Sequence, residues 1–195
     1  MDVKRALEER RGFRSLAPAV VDDTLIEMLA GAARLAPSCF NNQPWRYVFV
    51  HDADQLLRLR TAISKGNEWT YEASLIVAVC SAPVYDCQQK DGRQYYQFDT
   101  GLATGFMLLR AVELGLVAHP IAGFDARMVK ELLRAPDDVE VLALVIIANH
   151  ATRVNPLLSP QQIESEKTRP PRLALAQFAY HNYYDIVNDP KRTVK

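Results

Sequence analysis

Apolar positions change period along the chain, and each change marks an element. Val3, Ala6 and Leu7 share one face of a helix over residues 2–11. Leu25, Ile26, Leu29, Ala32, Ala33 and Ala36 repeat that spacing in a second helix opening at Val20, Asp22 and Asp23, where early acidic residues suit the positive end of a helix. The period then shortens to that of a strand over residues 47–51, and residues 54–64 return to a helical pattern. Residues 74–81, SLIVAVCS, are an almost unbroken apolar run with β-branched members, the pattern of a strand buried on both faces. A polar loop over 86–94 precedes the most apolar helix, residues 99–114, which carries Leu102, Phe106, Leu109 and Val112 and ends at Gly115. Asp125 is placed to cap a helix running to Leu133, and residues 139–148 form a second apolar strand. Helices come first, then helices and strands mixed, with only two or three crossovers able to join parallel strands. The expected class is α+β with a mixed central sheet flanked by helices, not a doubly wound sheet.

After His150 the pattern fades. Residues 155–172 are rich in proline and poor in apolar side chains, and the tail that follows is aromatic, with Phe178, Tyr180, Tyr183 and Tyr184. Residues 151–195 are too thin to build a core of their own, so this arm is expected to lie across another surface, such as a second subunit. At 195 residues the chain suits one well-buried domain, residues 1–195, better than two.

Composition narrows the class without choosing a function. The chain is 49% hydrophobic and 24% charged, with net charge zero, which argues against a nucleic-acid partner. No window has the apolar length needed to span a bilayer, and the first residues, MDVKRALEERRGFR, lack the apolar core of a secretory signal. No membrane partner and a cytoplasmic location are therefore expected. Three cysteines, Cys39, Cys80 and Cys87, are odd in number and irregularly spaced, which argues against a disulfide framework and against a zinc ribbon; Cys80 reads as core. The four histidines show no paired metal-ligand spacing, and none of the common nucleotide-binding or hydrolase signatures occurs.

The most informative segment is residues 36–45, APSCFNNQPW. Pro37 stops the preceding helix and Pro44 holds Gln43 extended, so Ser38, Cys39, Asn41, Asn42 and Gln43 sit in a loop clamped at both ends. Such a loop can grip a flat heteroaromatic ligand with polar edges; by itself it fits a capped helix-to-strand turn equally well. Arg10, Arg11 and Arg14 form one basic cluster and Lys167 with Arg169 another. Each alone reads as a solvated surface, but together they could bind one phosphate. The segment from His119 to Gly123 lies between a strand and a helix start, where a glycine lets backbone amides approach a ligand.

Taken in order, these features resemble the FMN-dependent nitroreductases. The resemblance rests on Arg10-Arg11-Gly12-Phe13-Arg14, the APSCFNNQPW loop, Gly115-Leu116 with Pro120-Ile121-Ala122-Gly123-Phe124-Asp125, and Lys167-Thr168-Arg169. It implies an intertwined homodimer with FMN at the interface, held by both chains. Arg10, Arg11 and Gly12 would lie at the phosphate and ribityl end with Lys167 and Arg169, and Arg14 at the pyrimidine edge. Pro37, Ser38, Cys39 and Asn41 would come from the partner subunit. Pro120, Ile121, Ala122 and Gly123 would run along the ring, with a backbone N–H of Ala122 or Gly123 at flavin N5. No side chain is expected to be catalytic; the implied reaction is ping-pong transfer from NADH or NADPH to a small-molecule electron acceptor. Two departures stand out: the family often has serine at Gly12 and at Cys39. Asn67 is a further candidate for contact with the flavin.

Overall fold

A computed structural model describes residues 1–191; the last four positions of the expected domain lie outside the described residues. In chain order the elements are α1 (Val3–Glu9), β1 (Leu16–Ala17), α2 (Asp23–Arg34), β2 (Arg46–Val50), α3 (Ala53–Leu59), β3 (Leu75–Ser81), α4 (Tyr96–Glu113), β4 (Val117–Ile121), α5 (Ala126–Leu132), β5 (Glu140–His150) and α6 (Pro160–Lys167). The longest strand, β5, lies between β3 and β4, with β2 beyond β3; the short β1 pairs with the end of β5.

The α+β class holds, but every strand pairing among the described residues is antiparallel, so the sheet is not mixed. The reason is β5. The α4 crossover leaves β3 and β4 running in the same direction, and β5 fills the place between them, antiparallel to both.

Alternate residues of the sheet supply two cores. Leu75, Val77 and Val79 of β3 face Leu29 and Ala33 of α2 and Ala103, Met107 and Ala111 of α4. Ile76, Ala78 and Cys80 face the other way, with Leu59, Trp69 and Val129. All seven residues of β3 are buried, which accounts for its continuous apolar sequence. Helix α4 ends in a Schellman motif: Leu116 N–H donates to Ala111 O and Gly115 N–H to Val112 O, both at 2.9 Å, with Gly115 at φ +81°. No helix among the described residues is long and apolar enough to cross a membrane.

Part of the proline-rich arm is ordered on its own chain. Ser159 and Gln162 form a capping box that starts α6, with Pro160 in the first turn. Gln162 Nε2 donates to Gly66 O at 3.0 Å. Beyond Arg169 the segment leaves Leu173, Leu175, Phe178 and Tyr183 exposed.

Candidate flavin site

Helix α1 ends one residue before Arg10, whose ψ of 115° turns the chain into an extended segment. That segment is bound to α6. The Glu166 carboxylate, 6% exposed, accepts the N–H of Arg14 at 2.6 Å and of Ser15 at 3.2 Å, and lies 3.5 Å from His150 Nε2. In return, Arg11 Nη2 donates to Ser165 O at 2.7 Å and Glu166 O at 3.2 Å. Arg169 Nη2 donates to the carbonyls of Glu8 and Arg10. Residues about 150 apart in sequence thus form one wall, because backbone N–H and C=O groups that the extended segment leaves open, those of Arg14, Ser15, Glu8 and Arg10, find partners on the arm.

The result is a cleft of 190 Å³ into which five arginines project: Arg10, Arg11, Arg14, Arg169 and Arg172. Among the described residues none of them has a carboxylate within 4.0 Å. Burial, together with the neighbouring Arg169 and Arg172, holds the Arg10 guanidinium below its ordinary pKa; burial does the same to Arg14, opposed by Glu166. Both remain cations, and both gain from an anion. A phosphate, which accepts bidentate bonds from guanidinium, fits this donor set. Lys167 does not line the cleft; it pairs with Glu164 at 3.7 Å on the surface, and Arg172 contributes in the cleft instead.

His119 of β4 closes the floor. Its Nδ1 lies 3.1 Å from Phe13 O, and its ring packs on Trp69 with centroids 4.8 Å apart. A Cβ built on Gly12 would lie 3.1 to 3.3 Å from three atoms of that ring, a contact tight enough that a side chain at Gly12 would press on the imidazole. Burial pushes the His119 pKa down to about 4, with Arg14 and Arg10 acting in the same direction against the Phe13 carbonyl and Glu166. The ring is therefore neutral near pH 7.

The strand continues into the turn at Ala122 and Gly123. Pro120 pairs with Val145 on an edge strand, where its missing N–H costs no ladder bond. Its ring lines a separate 420 Å³ cleft with Thr100, Gly101 and Thr104 of α4, while Ile121 points into the core. The turn is fastened from behind: Gly123 O accepts from Ser64 N–H at 3.0 Å and from Asn67 Nδ2 at 3.3 Å, and Asn67 Oδ1 accepts from Trp69 Nε1 at 3.2 Å. A Cβ at Gly123 would fall 2.1 Å from Asn67 Nδ2, so any side chain there would push the Asn67 amide off the turn. Among the described residues, the Ala122 and Gly123 N–H groups meet no protein acceptor. They are available donors on a fixed backbone. Asn67, a candidate for ligand contact, spends both ends of its amide on holding this turn.

The loop 36–45 is built as a rigid projection. Phe40, Asn41 and Gln43 have φ of +49°, +59° and +50°, held by local bonds; Gln43 is thus not extended as expected before Pro44, because its N–H turns back to Ser38 Oγ. Cys39 N–H donates to the buried Asp99 at 2.9 Å, Gln43 N–H to Ser38 Oγ at 2.9 Å, and Asn42 Nδ2 to Asp86 O at 3.0 Å. Phe40 is left 78% exposed. Contrary to the reading of the cysteines as unpaired, Cys39 and Cys87 form a disulfide, and Gln89 Nε2 lies 3.2 Å from each sulfur. The odd count arose because buried Cys80 of β3 is the one left over. Pro37, Ser38, Cys39 and Asn41 line no part of the arginine cleft in their own chain.

The model of the nitroreductase family matches residues 7–148, most of the chain. The chain belongs to the nitroreductase family. It is accordingly an oxidoreductase of that family. A protein of Archaeoglobus fulgidus, provisionally named NADH dehydrogenase/NAD(P)H nitroreductase, is 31% identical over 140 residues, covering 70% of this chain and 78% of its own. A solved structure described as an oxidoreductase containing FMN superposes with TM-score 0.81 at 26% identity, covering 95% of this chain and 94% of that one. A nitroreductase family protein of Clostridium difficile 630 gives TM-score 0.76 at 25% identity, covering 94% and 100%.

His119 was singled out in the sequence only as the start of a turn, and Arg172 and Glu166 were not singled out at all. Arg172 follows Arg169 within three residues and could have been grouped with it. Nothing local marks Glu166, whose role exists only once α6 meets the extended segment.

Proposed function

We propose that this nitroreductase-family chain is an FMN-dependent oxidoreductase that uses NADH or NADPH to reduce small oxidised acceptors such as nitroaromatics and quinones. The observation that carries the reading is the cleft of five arginines that have no carboxylate within 4.0 Å among the described residues, floored by His119 of the β4 strand that runs into the Ala122 and Gly123 N–H groups. The relatives point the same way, one named for NAD(P)H and one structure described as containing FMN. When bound, FMN supplies the redox centre that accepts a hydride and passes electrons on. Arg10, Arg11, Arg169 and Arg172 hold the phosphate, and Arg14 favours negative charge at the pyrimidine edge. A backbone N–H of Ala122 or Gly123 orients the ring at N5.

A cleft of 190 Å³ falls below the roughly 300–1,000 Å³ of ordinary ligand pockets, so a single chain encloses only the phosphate end. The rest of the grip is assigned to a homodimer, in which Pro37, Ser38, Cys39 and Asn41 of the partner line the ring. Exposed Leu35, Phe40, Phe98 and Phe106 are the apolar surface such a dimer would cover. The arm beyond Arg169, with its exposed Leu173, Leu175 and Phe178, would pack on the same partner.

A second reading is reductive dehalogenation on the same fold, favoured by a 26% identical relative from Haliscomenobacter hydrossis named iodotyrosine deiodinase, matched over 167 residues. The test is steady-state turnover of the FMN-loaded protein. NAD(P)H oxidation driven by a nitroaromatic or quinone supports the first reading. Halide release from a halogenated phenol without quinone turnover supports the second.

A further inference from the structure

The imidazole of His119 is the one ring nitrogen in an arginine-lined cleft that can accept a hydrogen bond. Phe13 O is an acceptor only, so the Nδ1 that faces it at 3.1 Å carries the proton. The ring is neutral, which leaves Nε2 with an open lone pair. No donor of the chain meets Nε2 among the described residues. Two further contacts fix the ring. Trp69 packs beneath it, and Gly12 lies so close that a Cβ there would press on the ring. Every arginine of the cleft offers donors only, so Nε2 selects for a ligand group carrying its own O–H or N–H. The cleft is too small for the fused rings, so the portion next to the phosphate is the polyol chain.

We infer that His119 is a binding residue that accepts a hydrogen bond from a ribityl hydroxyl of the flavin, and that Gly12 leaves the imidazole room to hold that position. The inference rests on the FMN reading and makes a narrower claim. It assigns His119 a contact with the ligand and makes residues 12 and 119 a coupled pair.

The test is a cycle between protein and ligand. Apo protein, as wild type and as His119→Phe, is titrated with FMN and with an isoalloxazine bearing a 5-phosphopentyl chain, which keeps the phosphate and lacks the three hydroxyls. A neutral hydrogen bond corresponds to about 5- to 10-fold in affinity. Wild type should favour FMN over the deoxy analogue by at least that factor, and His119→Phe should lose about 5- to 10-fold of the preference while binding the analogue nearly unchanged. An equal preference in both proteins overturns the inference and leaves the FMN reading standing; wild type that binds neither flavin overturns both. Because His119→Phe could perturb folding, ¹⁵N NMR of the wild type supplies an independent readout. Nε2 should resonate as unprotonated nitrogen and shift on addition of FMN, whereas a shift of equal size with the deoxy analogue, or none with FMN, overturns the inference. Gly12→Ser should weaken FMN binding in wild type and do so less in a His119→Val background.

Discussion

Reduction of the Cys39–Cys87 disulfide should lower stability by about 4 kcal/mol while leaving the loop 36–45 in place. The bridge joins residues 48 apart, and closing a loop of that length in the unfolded chain corresponds, on the chain-entropy account, to about 4 kcal/mol at 25 °C. The folded state has other fastenings between the same loops. Asp99 still accepts Cys39 N–H at 2.9 Å, Asp86 O still accepts from Asn42, and the Asp86 carboxylate accepts Tyr95 N–H at 2.7 Å. The loss should therefore come from the unfolded ensemble, with little change in the native spectrum. Equilibrium urea unfolding with and without a reductant is the assay. At an m-value of about 2–3 kcal/mol/M the midpoint should fall by roughly 1–2 M. Counting thiols in denaturant fixes the starting state: only Cys80 should react before reduction, and all three cysteines after it. Three reactive thiols in untreated protein would mean that the bridge is not formed, and an unchanged midpoint after complete reduction would mean that it does not constrain the unfolded chain.

Gly123→Ala puts a methyl 2.1 Å from Asn67 Nδ2, so a stability loss of about 1–3 kcal/mol is expected in thermal or urea unfolding, with much of it recovered by adding Asn67→Ala. Arg14→Ala should weaken FMN binding by about 10-fold or more and lower the flavin midpoint potential, both measured on the reconstituted protein; an unchanged potential and affinity rule out its role at the pyrimidine edge. The His119 pKa is about 4 in the fold against an ordinary 6.5, so the unfolded chain takes up the proton first as pH falls. Stability from this group is complete above about pH 6.5, declines below it and levels off below about 4, with about 2 kcal/mol lost by pH 5. Urea midpoints of the apo protein at pH 7.5 and 5 should therefore converge in His119→Gln relative to wild type.

The elements with strong periodicity were legible in the sequence because their burial is one-sided or complete. The unbroken apolar run became β3, buried on both faces; Gly115, free to take a positive φ, follows the end of α4, and the Asp125 side chain caps α5. Helix α6 was missed although Ser159, Pro160 and Gln162 spell a capping box, because the helix has little apolar character to set its period. The antiparallel sheet was not legible: which strand fills the place between β3 and β4 depends on long-range pairing. The disulfide was hidden for a related reason, since cysteine parity ignores a thiol lost to the core. At the site, the arginines and the glycine turn could be read from residue type. The exchange between Gly12 and His119 could not, because it depends on two backbones meeting across 107 positions, and neither residue signals the other.

Anaerobic titration of the FMN-loaded protein with NADH and with NADPH reads cofactor, reductant and electron transfer in one experiment. At least one nucleotide should bleach the flavin absorption stoichiometrically, and a quinone or nitroaromatic added afterwards should restore it. A colourless protein that takes up no FMN, or a bound flavin that neither nucleotide reduces, would mean that this chain is not an FMN-dependent NAD(P)H oxidoreductase.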